Sequence, residues 1–317
     1  MRIAPEPFLA FLVLLATSCS SDGDHGKGGA GGTGGAGPDA TAGTGGASAE
    51  TACTPAPPGA VSDYGARGPF DVTRVDNTGP DGQYTMFRPT DLGTGFKHPP
   101  TTWGNGITTT PDAYVELLST VASHGFVVIA SNSKNVTAAL MKSGLDWLIA
   151  QNDTAGDLQG KLVVDCPTSI GYSLGGGAAV TAAGQLPDVK AIVSMHGLQA
   201  ASDPNTAPLL LMTSTDDTFV PKATSAVQSY MRASSEQPVI MATLDCPTAG
   251  TPTCLSLPGY GGHAIPLDNG HGERAPLVAW LRYWIYGDLG ARGYFFGSDC
   301  TLCKAPWLDI QRKNYAW

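Results

Sequence analysis

A serine stands between two glycines in Gly171-Tyr172-Ser173-Leu174-Gly175, where a segment entering from Leu162-Val-Val gives way to the small residues Gly175 to Ala179. A strand that turns sharply into a helix needs small residues at the bend, where a Cβ would clash, and such a turn lifts the serine hydroxyl off the sheet. A hydroxyl is a weak nucleophile by itself. It becomes useful when a base takes its proton and a carboxylate orients that base.

Both partners occur downstream. The apolar run Leu209-Leu-Leu-Met212 leads to Asp216-Asp217, and on pattern alone either aspartate has the right place. A Ser–His–Asp set on an α/β-hydrolase sheet has the chain order serine, acid, histidine. Of the six histidines, His25 lies in a Gly-rich leader, His98 and His124 precede the serine, and His196 precedes the aspartates, which leaves His263 and His271. His263 follows Gly259-Tyr-Gly-Gly262, a backbone free enough to carry an imidazole over a sheet. His271 adjoins the last helix and reads as a solvated or capping residue. His196, at a strand end, is expected to line the pocket without touching the proton path.

These residues need a sheet to hold them. Strands are expected at 70–75, 84–88, 126–130, up to residue 171, 191–194, 209–212 and 239–242, with helices at 111–125, 136–151, 175–185 and 273–286. Phe126-Val-Val-Ile-Ala130 is a continuous apolar run, the mark of a strand buried on both faces. Tyr114, Leu117, Leu118 and Val121 recur at helical spacing between Pro111 and Gly125. Strands alternating with helices require an α/β fold with a mostly parallel central sheet and helices on both faces, functional groups gathering at the strands' carboxyl ends.

The chain has 317 residues and a formal charge of −9 without a basic patch, which argues against nucleic acid as partner. Residues 1–18 carry Arg2 and then the apolar run Phe8-Leu-Ala-Phe-Leu-Val-Leu-Leu-Ala16, a secretory signal too short to span a bilayer. Ala16-Thr-Ser-Cys19 resembles a bacterial lipobox, so Cys19 is expected to carry a lipid anchor on an exported lipoprotein, at the cell surface or outer membrane or released. Residues 19–50, almost all Gly, Ala, Ser, Thr and Asp, read as a flexible tether. Gly32-Thr-Gly34-Gly-Ala-Gly37 satisfies a dinucleotide pattern in form, but no strand precedes it and no helix follows. Residues 51–317 then form one monomeric domain. Six cysteines remain, expected as disulfides in an oxidising compartment: Cys246–Cys254 and Cys300–Cys303 locally, and Cys53–Cys166 by elimination.

The domain resembles the polyester hydrolase and cutinase-like group of bacterial α/β-hydrolases, which is related to dienelactone hydrolases. The resemblance rests on Ala122-Ser-His-Gly-Phe-Val-Val-Ile129, Gly171-Tyr-Ser-Leu-Gly-Gly-Gly177, Asp217-Thr-Phe-Val-Pro221, Gly262-His263 and Ala279-Trp-Leu-Arg-Tyr-Trp284. It implies Ser173, Asp217 and His263 as a triad, with Asp217 favoured over Asp216 because the family's aspartate stands four residues before a proline. It implies an oxyanion hole of backbone N–H groups at Leu174 and Ile107, the latter after the family's third strand. No metal or organic cofactor is implied.

Ile107 and Leu198 stand where such enzymes place aromatic residues, and the Cys246–Cys254 insertion is longer. Tyr172, Trp103 and Leu198 are therefore the candidate substrate surface, with a buried core role an equal reading of Trp103. The expected activity is cleavage of an ester or polyester through an acyl-enzyme. The alternatives are a short-chain acyl esterase on plant or cell-wall polymers, a dienelactone-type hydrolase, and an idle surface-binding protein.

Overall fold

The fold grows from short, wholly apolar strands that can be satisfied only inside a covered sheet. The structure, a computed structural model, describes residues 52–314 apart from 60, 187, 199–204, 235, 247–260 and 268. The signal segment, Cys19, the tether and Cys254 lie outside the described residues.

Among the described residues, nine strands form one sheet: β1 (Val72–Thr78), β2 (Tyr84–Pro89), β3 (Pro100–Gly104), β4 (Val127–Ser131), β5 (Thr168–Tyr172), β6 (Ala191–Met195), β7 (Leu209–Ser214), β8 (Val239–Leu244) and β9 (Trp307–Lys313). Their order is β1-β2-β4-β3-β5-β6-β7-β8-β9. The six strands from β4 across to β8 run parallel, while β1 and β2 at one edge and β9 at the other pair antiparallel. This is the α/β-hydrolase fold.

Among the described residues, helices α1 (Val115–Ser123), α2 (Ala138–Ala150), α3 (Leu174–Ala183), α4 (Ala226–Arg232), α5 (His271–Tyr286) and α6 (Leu289–Arg292) flank the sheet. One core joins Trp103, Tyr172, Val193 and Met212 to α1, α5 and α6 through Leu117, Val121, Trp280 and Ala291. The core on the opposite face joins Ile192, Leu209 and Met241 to α2, α3 and α4 through Leu145, Ala182 and Ala226. Thr137 caps α2 by accepting from the Leu140 N–H at 3.2 Å, and Gly287 ends α5 with a left-handed φ of 65°.

The expected strands and helices are found within a few residues of their predicted places. Strands β3 and β9 and helices α4 and α6 have no counterpart among the expected elements. β3 opens with Pro100 and carries two threonines, a composition that looks like a loop. Both threonines are buried, with Thr168 Oγ1 donating to Thr101 Oγ1 at 2.8 Å and Thr102 Oγ1 donating to the Met141 carbonyl at 3.0 Å. A proline is tolerated at a strand's first residue. The segment expected as one helix over 111–125 begins instead as a 3₁₀ turn at Pro111–Tyr114.

Cys53–Cys166 and Cys300–Cys303 are disulfides with Cα separations of 5.9 and 5.0 Å. Cys246 is also disulfide-bonded. Among the described residues no helix is long and apolar enough to cross a membrane.

Candidate active site

Ser173 sits between β5 and α3 with φ 55° and ψ −121°, a conformation uncommon for a residue with a side chain. The bend is possible because two backbones touch there. A Cβ on Gly175 would lie 2.1 Å from the Gly104 carbonyl, and one on Gly171 would lie 2.2 Å from the Gly175 oxygen. The glycines thus let α3 start directly against β3 and β5, and Ser173 stands at their carboxyl ends.

His263 lies in a 3₁₀ turn, Gly262–Leu267, ahead of α5. Its Nε2 is 3.1 Å from Ser173 Oγ, and its Nδ1 is 2.8 Å from Asp217 Oδ2. An ionised carboxylate only accepts, so Nδ1 carries the ring proton and the Ser173 hydroxyl donates to Nε2. Asp217 follows β7, and its other oxygen accepts the Phe219 and Val220 N–H groups at 3.0 and 2.7 Å. The neighbouring Asp216 accepts the Gly262 N–H at 3.0 Å and so ties down the histidine turn. All three expected triad residues are therefore in one hydrogen-bonded line, and they are 2–5% exposed. Burial lowers the proton affinity of His263 below the ordinary histidine value, outweighing the opposing hydrogen bond from Asp217. The ring is thus neutral and able to accept.

The line continues past Asp217. His196 Nδ1 also reaches Asp217 Oδ2 at 2.8 Å, and its Nε2 reaches Glu273 Oε1 on α5 at 2.7 Å. The expectation that His196 stands apart from the proton path is corrected here: it shares one oxygen with His263. Burial opposes a charge on His196, but the Glu273 carboxylate and hydrogen bonds to both acids push its pKa up to about 10. Burial also opposes ionisation of Asp217, but hydrogen bonds from both histidines hold it well below the usual carboxylate range. His196, Asp217 and His263 offer three ligand-type atoms within 4.8 Å of one another. Both Nδ1 atoms carry the protons that bind Oδ2, so neither presents the lone pair a cation needs.

Sequence reasoning missed Glu273, which looked like one more charge at the start of an amphipathic helix. Its complete burial, at 0% exposure, is not written in local pattern. The available signal was His196 itself, a histidine directly after the buried strand β6.

Leu174 is the first residue of α3, where a helix leaves its N–H groups without internal partners. The other expected donor lies in the loop after β3, where the Gly106 N–H is taken by Tyr114 Oη at 3.0 Å and Ile107 is partly exposed. A Cβ on Gly106 would come within 2.7 Å of the Tyr172 ring, so this loop packs on the residue before Ser173.

Of the expected substrate surface, Leu198 is 39% exposed, and its N–H donates to the Ser173 carbonyl at 3.0 Å. Tyr172 is buried under His263, ring centroids 5.0 Å apart. Of the two roles open to Trp103 the structure gives the core one and not the surface one: it is 0% exposed, and its indole N–H donates to Asn105 Oδ1 at 2.9 Å. Among the described residues, Phe219 is an exposed aromatic at the site, 36% accessible and 5.1 Å from the His263 ring, and no sequence expectation singles it out.

Residues 47–246 match the PET hydrolase-like family. The chain belongs to that family. The matched span holds Ser173 and Asp217 and ends before His263. Curated relatives include a cutinase of Thermobifida alba, a second from Thermobifida cellulosilytica and a third from Thermobifida fusca. Each is 27% identical over 175 residues, which is 51% of this chain and 57%, 65% and 53% of the respective relative. The chain thus spans between about half and two thirds of the length of the curated relatives it matches.

Proposed function

We propose that this chain is a serine carboxylic-ester hydrolase of the cutinase and polyester-hydrolase type. One observation carries the reading: the unbroken hydrogen-bonded line from Ser173 Oγ through His263 to Asp217, closed at 3.1 and 2.8 Å. Family membership and the cutinase names of its relatives support the substrate class.

In the proposed cycle, Ser173 Oγ bonds to the ester carbonyl carbon as its proton passes to His263 Nε2. The Leu174 and Ile107 N–H groups hold the oxygen on which negative charge develops, stabilising the tetrahedral species more than the neutral ester. Collapse breaks the bond to the alcohol, which leaves with the proton from His263. Water then attacks the acyl-enzyme, giving a proton to His263, and release of the acid returns that proton to Ser173. Asp217 orients the imidazole and balances its transient charge. Phe219 and Leu198 supply apolar surface beside the nucleophile for the acyl part.

The N-terminal reading supports an exported protein tethered through a lipid on Cys19, with residues 19–50 as the tether. The test of the catalytic reading is turnover of a p-nitrophenyl acyl series by the full chain beside Ser173→Ala. Wild-type turnover with a loss of at least about 10⁴ in the variant is expected. Equal rates in the two proteins would remove Ser173 from the mechanism.

A further inference from the structure

Four buried ionisable groups stand in one row, His263, Asp217, His196 and Glu273, linked by contacts of 2.8, 2.8 and 2.7 Å. The serine mechanism uses only the first two. His196 lies between two carboxylates, and the shape of an imidazole limits what that arrangement can hold. A neutral ring has one N–H, so its second nitrogen would face a carboxylate oxygen lone pair to lone pair. A doubly protonated ring donates to both. The set then carries one positive and two negative charges, leaving the net charge of a single carboxylate facing His263.

Three further features single His196 out. Its backbone is held at φ 47°, a left-handed conformation uncommon outside glycine, at the carboxyl end of a central strand. It is 1% exposed. Glu273, on α5, has no hydrogen-bond partner for its second oxygen among the described residues, so its contact with His196 is what holds this side chain in place.

We propose that His196, clamped between Asp217 and Glu273, is a positioning residue of the triad that fixes the Asp217 carboxylate and sets the pH at which His263 works as a base. The proposal rests on the ester-hydrolase reading above. The titratable groups facing the two imidazoles come from several elements. Asp217 follows β7 and Glu273 comes from α5. Tyr172 and Ser173 belong to the β5–α3 turn, and Asp216 binds the backbone beside His263. His196 brings positive charge to this group, with its ring 5.5 Å from that of His263. Its charge opposes protonation of His263, and Glu273 favours it.

The decisive variant is His196→Asn. The asparagine amide places a donor where Nδ1 was, and asparagine tolerates the left-handed backbone better than most residues. The charge and the link to Glu273 are lost. With two carboxylates no longer balanced by a cation, His263 keeps its proton to higher pH. The acid limb of kcat/KM on a p-nitrophenyl ester is expected to move up by about one pH unit. A structural role alone would lower the amount of active enzyme, read by active-site titration, and leave the limb in place. An unmoved limb in a correctly titrating variant overturns the proposal.

If the variant does not fold, ¹⁵N spectra of the wild-type histidines decide. Both His196 ring nitrogens protonated at pH 8, beside a singly protonated His263, support the proposal, and a bare nitrogen on His196 overturns it. A wild type inert on every ester would instead overturn the reading of function, and the ¹⁵N spectra would still report on the row.

Discussion

Two histidines touch the same oxygen of Asp217 at the same distance, 2.8 Å, and their proton affinities are pushed in opposite directions. The difference lies at their far nitrogens. His263 faces a hydroxyl, which can give a proton away, while His196 faces a second carboxylate, which can only hold one. Burial acts against charge on both rings. On His263 nothing at the far nitrogen offsets it, so the ring is neutral and basic. On His196 the Glu273 carboxylate offsets it, so the ring is a fixed cation. In the proposed mechanism one buried carboxylate thus serves a reactive side and a structural side, and the partner across each ring decides which is which.

The comparison breaks hardest at the shared group. Asp217→Asn removes the acceptor from both rings and lets His263 adopt the wrong tautomer. A fall in kcat of about 10⁴ is expected from steady-state ester turnover. A loss below tenfold would mean that the orientation of His263 comes from elsewhere.

Next is the structural side alone. Glu273→Leu leaves His196 with one carboxylate in place of two, inside the core. Breaking a buried pair by removing one partner costs about 3 kcal/mol, to be read from the urea unfolding midpoint. The sign in pH follows from the direction of the His196 shift. Its pKa is raised from 6.5 to about 10, so its contribution to stability is complete below pH 6.5 and fades as pH rises through about 10. Wild-type stability is expected to decline over that alkaline window, and Glu273→Leu to flatten the decline. The reactive side gives the opposite picture in activity. With the His263 pKa lowered by burial, the acid limb of kcat/KM is expected below pH 6.5. A limb above 6.5 would mean that the ring is charged at rest.

The two sides were not equally legible in the sequence. Ser173 and His263 announce themselves through glycines, because a sharp turn and a close backbone approach leave a compositional trace. Asp217 needed the family's spacing to a proline to part it from Asp216. Most of the sheet was legible because its strands are short apolar runs. β3 was not, since its buried threonines find partners far away in the chain, Thr101 with Thr168 of β5, 67 residues on, and Thr102 with the Met141 carbonyl of α2. Glu273 fails for the same reason. It follows His196 by 77 residues, and only the packing of α5 over the end of β6 brings them together. Phe219 and Trp103 show the limit for aromatics: residue type indicates a ring, and whether it faces substrate or core depends on which side of the sheet the fold gives it.

The smallest expected effect sharpens what burial contributes. Lys142 Nζ and Asp146 Oδ2 on α2 are 2.6 Å apart, closer than either contact of His196, yet their side chains are 36% and 50% exposed. Water solvates both charges whether or not they meet, and holding two long chains together costs entropy. The lysine also precedes the aspartate by four residues, the less favourable order along a helix. Lys142→Ala is therefore expected to change the unfolding free energy by less than about 0.5 kcal/mol, with alanine's helix preference offsetting part of the loss. A change as large as that of Glu273→Leu would mean that distance, and not exclusion of water, governs ion pairs in this protein, and the account of His196 as a cation fixed by burial between two acids would lose its physical basis.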